Sequence, residues 1–137
     1  MKTRRNFLKT TAIVAAGVAV SGKAMAAKGK KHTLDLPGLI YTEEQQGKWQ
    51  NKAASHLPQV TVEGNKVTLV TNHGMSEQHY IVRHTLVDTE GNVLGAKTFY
   101  PVDEPKSVFE LPEGFKGKLY ATSFCNKHDF WVAAFEV

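Results

Sequence analysis

Cys125, Asn126, Lys127 and His128 form a Cys-x-x-His pair near the end of a 137-residue chain, and Cys125 is its only cysteine. A single cysteine cannot close an intramolecular disulfide. A thiolate three residues from an imidazole can instead bind one metal ion, with the intervening turn setting the bite. Upstream lie His56, then His73 and His79 with five residues between them. These five side chains make a candidate ligand set of four imidazoles and one sulfur. His32, in a lysine-rich stretch, reads as an exposed bystander. His84 alternates with Tyr80, Val82 and Leu86 and is expected in the core, while Trp49, Phe130 and Trp131 read as packing residues.

The donor set constrains the metal. Structural zinc closes at four protein ligands, one fewer than this set offers. A blue-copper centre takes two histidines, one cysteine and a weak axial methionine, but no methionine follows His128 and two histidines would be left over. Four imidazoles with one axial thiolate leave a sixth position open. That suits iron(II) and direct chemistry on a small oxidant. A cupredoxin-like electron carrier and a non-catalytic metal-binding β-sandwich stand as the alternatives.

The elements that must position these residues read as short strands. Gln59–Glu63 and Lys66–Thr71 are β-branched runs separated by Gly64-Asn65, a hairpin signal. His79–Val87, Val93–Tyr100, Ser107–Leu111, Lys118–Phe124 and Phe130–Phe135 follow, with a short helix or loop over residues 42–55 ahead of them. About seven strands at this spacing predict an all-β, immunoglobulin-like antiparallel sandwich. Following the chain up and down through it, His56, His73, His79, Cys125 and His128 all fall at one pole.

The N-terminus reads as an address. Thr3-Arg4-Arg5-Asn6-Phe7-Leu8-Lys9 has the pattern of a twin-arginine export signal. The apolar run Ala12–Val20 is shorter than the roughly 20 residues that span a bilayer. Ala24-Met25-Ala26 is a small-residue cleavage site. The expected division is a signal peptide over 1–26 and one domain over 27–137, exported to the periplasm and without a membrane anchor after cleavage. Five of the 17 basic residues and none of the 13 acids lie in residues 1–26, so the remainder carries 12 bases against 13 acids. The basic character therefore belongs to the signal and gives no argument for nucleic-acid binding.

The motifs His56-Leu57-Pro58, His73-Gly74-Met75-Ser76-Glu77-Gln78-His79-Tyr80-Ile81 and Gly117-Lys118-Leu119-Tyr120-Ala121 through Cys125-Asn126-Lys127-His128 resemble those of the superoxide reductases, in their single-iron, neelaredoxin-type form. The resemblance covers most of residues 27–137. It implies an iron with His56, His73, His79 and His128 equatorial and Cys125 axial, one-electron reduction of superoxide to hydrogen peroxide, and an external electron donor whose identity the sequence does not give. It leaves room for a homo-oligomer. Where the family commonly carries Glu-Lys before the first histidine, this chain has Ala54-Ser55. Lys52, four residues before His56, is the candidate to replace the family lysine in attracting superoxide, with Lys127 a second nearby cation.

Overall fold

A computed structural model of the chain describes residues 36–137. The export signal expected over residues 1–26 and the lysine-rich stretch after it lie outside the described residues. In chain order the described elements are β1 (Ile40–Tyr41), a single 3-10 turn (Gly47–Trp49), α1 (Ala53–His56), β2 (Gln59–Glu63), β3 (Lys66–Val70), β4 (Ile81–Asp88), β5 (Val93–Thr98), β6 (Lys106–Glu110), β7 (Lys118–Cys125) and β8 (Asp129–Glu136). Strands β1-β8-β7-β4-β5 form one sheet and β2-β3-β6 the other. Every pairing is antiparallel except that of β1 with β8. The chain forms the expected all-β sandwich, with the two-residue β1 added to the seven predicted strands.

The core follows from alternation along the inner strands. In β3, Val67 and Leu69 point inward between exposed Lys66 and half-buried Thr68. They meet Leu86, Leu119 and Ala121 of the other sheet, and Leu111 closes the cluster. Burying each such aliphatic side chain stabilises the fold by about 1.5–3 kcal/mol. Between the sheets, a Cβ at Gly95 of β5 would collide with the Phe109 ring of β6, so only glycine permits that approach. The β2–β3 hairpin closes through two residues, with Gly64 at φ +63° where a side chain would be strained.

Two local departures from the expected pattern bear on the site. His79 does not open a strand: β4 starts at Ile81, and residues 71–80 run as a loop. Its backbone is turned inward, with Ser76 N–H donating to His79 O at 3.0 Å and His79 N–H to Ser76 O at 3.2 Å, so it has no ladder partner to extend the strand. The pairing of β4 with β7 also shifts register between Ile81 and Arg83. A bulge of this kind reverses the side-chain alternation. Ile81, His84 and Leu86 are therefore the fully buried members of β4, and Val82 is displaced to a half-buried position.

Candidate metal centre

Three pieces of chain meet at one end of the sandwich. His56 is the last residue of α1, a four-residue turn whose Leu57 N–H donates to Ala53 O at 2.8 Å before Pro58 stops it. The His56 Nδ1–H donates to the Lys52 carbonyl at 3.1 Å, and Ser55 Oγ lies 2.8 Å from the same nitrogen. Ser55 in turn donates to that carbonyl at 3.2 Å. A carbonyl only accepts, so this cradle puts the ring proton on Nδ1 and leaves the lone pair on Nε2.

His73 and His79 come from the 71–80 loop, which Asn126 clamps. Its Oδ1 accepts the Tyr80 N–H at 3.0 Å, and its Nδ2 donates to Gln78 O at 3.1 Å. Its own N–H donates to Tyr80 O at 3.2 Å. The residue after Cys125 thereby grips both neighbours of His79. That bond also engages the Asn126 N–H, one of the backbone donors available in principle to the sulfur.

His128 follows in the turn between β7 and β8. Trp131 Nε1–H donates to its carbonyl at 2.9 Å. The Trp49 ring stands edge-on to its imidazole, 4.6 Å between centroids, and donates through Nε1–H to Asp129 Oδ2 at 2.9 Å. Asp129 takes a left-handed φ of +63°, which reverses the chain directly after His128. Trp49 and Trp131, expected only to pack, hold this residue in place. Their spacing in the sequence carries no sign of that role, since residues 49 and 129 meet only through the fold.

Three short contacts link the four ligand nitrogens, and the His56 and His73 rings, 4.7 Å between centroids, close the circuit. His56 Nε2 lies 3.0 Å from His128 Nδ1, which lies 3.0 Å from His79 Nε2, which lies 3.1 Å from His73 Nε2. Adjacent imidazoles stand steeply to one another, at 87°, 67°, 86° and 77° around the circuit. Across it, His56 and His79 are near parallel at 28° with centroids 6.1 Å apart. Each nitrogen has one in-plane lone pair or proton and cannot serve two neighbours, so a closed ring of hydrogen bonds does not explain the geometry. A common central acceptor of lone pairs does. Half the diagonal of such a square is about 2.1 Å, the length of a metal–imidazole bond. Cys125 Sγ approaches from beneath, 3.7 Å from His128 Nδ1 and 4.0 Å from His73 Nε2. All five ligand atoms lie within 4.8 Å of one another. The residues fit one mononuclear metal with four nitrogens and a sulfur, and no histidine is left over as a two-histidine copper site would require.

The electrostatics favour the metal-binding forms. Burial holds His56 neutral, lowering its pKa to about 4, with the neighbouring His73 adding to the effect and the Lys52 carbonyl opposing it. His73 is lowered by burial and by His79. His79 is lowered by burial and then by Lys127 and Lys52, and His128 by burial and then by Lys52. Four neutral imidazoles at neutral pH offer four lone pairs.

The two faces of the ring differ. Cys125 is fully buried against Ile81 and Phe99. The other side opens into a cleft of about 430 Å³ whose walls include Lys52, Ser55, His56, His73, Met75 and His79 but not Cys125. A small anion that enters this cleft passes the Lys52 side chain on its way to the imidazole ring. Ala54 and Ser55 put no carboxylate over that face.

A β-sandwich whose four histidines and one buried cysteine converge closely enough to hold one metal ion defines the class of protein. The family model for Desulfoferrodoxin matches residues 24–134, and the chain belongs to that family. A variant of the superoxide reductase (neelaredoxin) from Ignicoccus hospitalis superposes with a TM-score of 0.64 at 29% identity, covering 79% of this chain and 98% of that one. The 1Fe-type superoxide reductase from Giardia intestinalis gives a TM-score of 0.54 at 28% identity, over 61% of this chain and 98% of its own. The superoxide reductase of Pyrococcus horikoshii is 52% identical over 31 residues, 23% of this chain and 27% of that protein, so this match spans about a quarter of the curated relative.

Proposed function

We propose that the chain is a superoxide reductase, converting superoxide, one electron and two protons to hydrogen peroxide at an iron held by His56, His73, His79, His128 and Cys125. The single observation that carries the reading is the square of imidazole nitrogens with a buried sulfur on one side and an open cleft on the other. Bound there, iron would supply the electron, with the thiolate raising its electron density. The chain's own groups do the rest. Lys52 draws the anion into the cleft, and the Lys52 carbonyl with Ser55 keeps the His56 lone pair aimed at the centre. With no carboxylate at position 54, water in the open cleft delivers the protons. An external reductant must then restore the reduced state, because the product is peroxide without oxygen.

The same reading extends to location. The paired Arg4 and Arg5 and the Ala24-Met25-Ala26 site support export by the twin-arginine machinery to the periplasm, with residues 1–26 removed. Iron(II) is low in the divalent affinity series, so a Cys/His site emptied before export would take copper or zinc instead. Export of an already folded, iron-loaded chain avoids that exchange. Among the described residues no helix is long and apolar enough to cross a membrane.

Metal analysis of protein purified without added metal tests the iron assignment. One iron per chain and a visible thiolate-to-iron(III) band after oxidation are expected. Stoichiometric zinc, with no such band after iron reconstitution, would overturn it.

A further inference from the structure

Beneath the metal centre, and outside the ligand set, lies a chain of polar side chains that the proposed reaction does not use. His84 of β4 is fully buried, as are Thr71, Ser107 and Ser123. His84 Nδ1 lies 2.9 Å from Ser107 Oγ, and its Nε2 lies 2.8 Å from Thr71 Oγ1. Thr71 Oγ1 lies a further 2.9 Å from Ser123 Oγ. A neutral imidazole has one donor and one acceptor, and each hydroxyl can serve as either, so every nitrogen and oxygen along the chain is satisfied in a single direction of donation. Burial and the nearby Lys97 hold His84 in that neutral form.

The path crosses the sandwich. Ser107 belongs to β6 and Thr71 follows β3, in one sheet, whereas His84 in β4 and Ser123 in β7 lie in the other. Two of its members, Thr71 and Ser123, lie two residues from ligands in the chain. The Thr71 carbonyl accepts the His73 N–H at 2.8 Å, and Thr71 N–H donates to Pro105 O at 3.0 Å. Ser123 precedes Cys125 by two residues, on the same inward face of β7. His56 is oriented by bonds to its outer nitrogen, but His73 Nδ1 is buried without a hydrogen-bond partner. The Gly74 backbone beside it interacts with the ring and raises its pKa, without the geometry of a hydrogen bond. The placement of the His73 ring therefore depends on the backbone that carries it, and that backbone is pinned at Thr71.

We propose that His84 is a positioning residue for the metal centre: through Thr71 and Ser123 it locks the segments bearing His73 and Cys125 into one register across the two sheets, fixing the sulfur against the imidazole ring. The proposal rests on reading the five-residue cluster as the iron site. A hydrophobic residue at position 84 would fill the core equally well. It would leave the Thr71 hydroxyl with Ser123 alone and Ser107 without its imidazole partner, removing the polar bridge from β6 to β4 and leaving Thr71–Ser123 as the one link of the path between the sheets.

The test uses three variants of the iron-loaded full chain. Thr71→Val removes the central hydroxyl at nearly constant shape, His84→Leu removes both imidazole bonds, and His84→Gln restores a donor and an acceptor. Readouts are the thiolate-to-iron(III) band, the ferric EPR spectrum and iron retention against a chelator, each set beside the melting temperature of the metal-free protein. Thr71→Val and His84→Leu should shift the band, broaden the EPR signal and weaken iron retention by roughly tenfold, the low end of the effect of groups that orient ligands. His84→Gln should recover most of this. Variants that melt earlier but keep the wild-type band, EPR and retention would show a purely structural role and overturn the proposal. Should Leu at position 84 prevent folding, the Thr71→Val and His84→Gln pair decides by the same readouts. If wild type itself holds no iron and gives no band, the parent reading fails instead, which the wild-type control reveals separately.

Discussion

Replacing Lys52 with alanine should slow the encounter with superoxide without changing the iron. The Lys52 side chain lines the open cleft, and its charge is felt by His73, His79 and His128. A unit charge about 4–6 Å from an anion in water contributes roughly 0.7–1 kcal/mol. At about 1.4 kcal/mol per tenfold, that is a three- to fivefold loss in the second-order rate at low salt. The screening length is about 8 Å at physiological ionic strength, so the loss there should shrink to roughly twofold. Pulse radiolysis of the reduced wild type and Lys52→Ala across a salt series measures both quantities, and the variant should show a flatter salt slope. The ferric absorption spectrum should be unchanged, since Lys52 reaches His56 through its backbone carbonyl, which alanine retains. Equal rates and equal slopes at every salt would remove Lys52 from the mechanism and leave Lys127 as the cation to test.

Four further outcomes follow from the same geometry. Cys125→Ser should abolish the visible thiolate band and strongly impair superoxide reduction while the far-ultraviolet circular dichroism of the β fold persists; a retained band would refute the sulfur assignment. Because position 54 is alanine, azide or cyanide should perturb the ferric spectrum readily, and Ala54→Glu should weaken that response. Burial first, and Lys97 second, depress His84 from 6.5 to about 4. The neutral form that the fold requires is therefore fully available above pH 6.5, and its contribution of up to about 3 kcal/mol is lost as pH falls toward 4. Denaturant titrations of the metal-free protein should show that slope reduced in His84→Leu. Finally, Arg4→Lys with Arg5→Lys should leave the precursor in the cytoplasm, because the export receptor reads paired guanidinium groups; fractionation showing normal export would contradict the signal.

The strands were legible because their signals are local. Gly64-Asn65 between two β-branched runs gives the β2–β3 hairpin, and burial alternates with period two along β3, whereas in β7 Ala121, Thr122 and Ser123 are buried in succession. The two-residue β1 is too short to have a period, and its pairing with β8 at Ile40–Phe130 depends on residues 90 positions apart. The bulge at Ile81–Arg83 was not legible either, since it arises from pairing with β7, and it changed which neighbours share the buried face with His84. The convergence of five ligand-type residues at one pole could be traced from strand directions alone. What holds them there could not: the Asn126 clamp and the Trp49 ring on His128 are tertiary contacts, and the Lys52 carbonyl and Ser55 at His56 are local bonds made by residues of ordinary type. His84 was expected in the core and lies there, but its two hydroxyl partners, Thr71 and Ser107, come from two other segments of the chain and leave no periodic trace.

The peroxide yield per superoxide consumed tests the central claim most directly. With excess reduced protein and a measured pulse of superoxide, the account predicts one hydrogen peroxide per superoxide, one oxidised iron for each, and no oxygen released. A yield of about half a peroxide per superoxide, with oxygen evolved and the iron left reduced, would mean dismutation and would contradict the assignment.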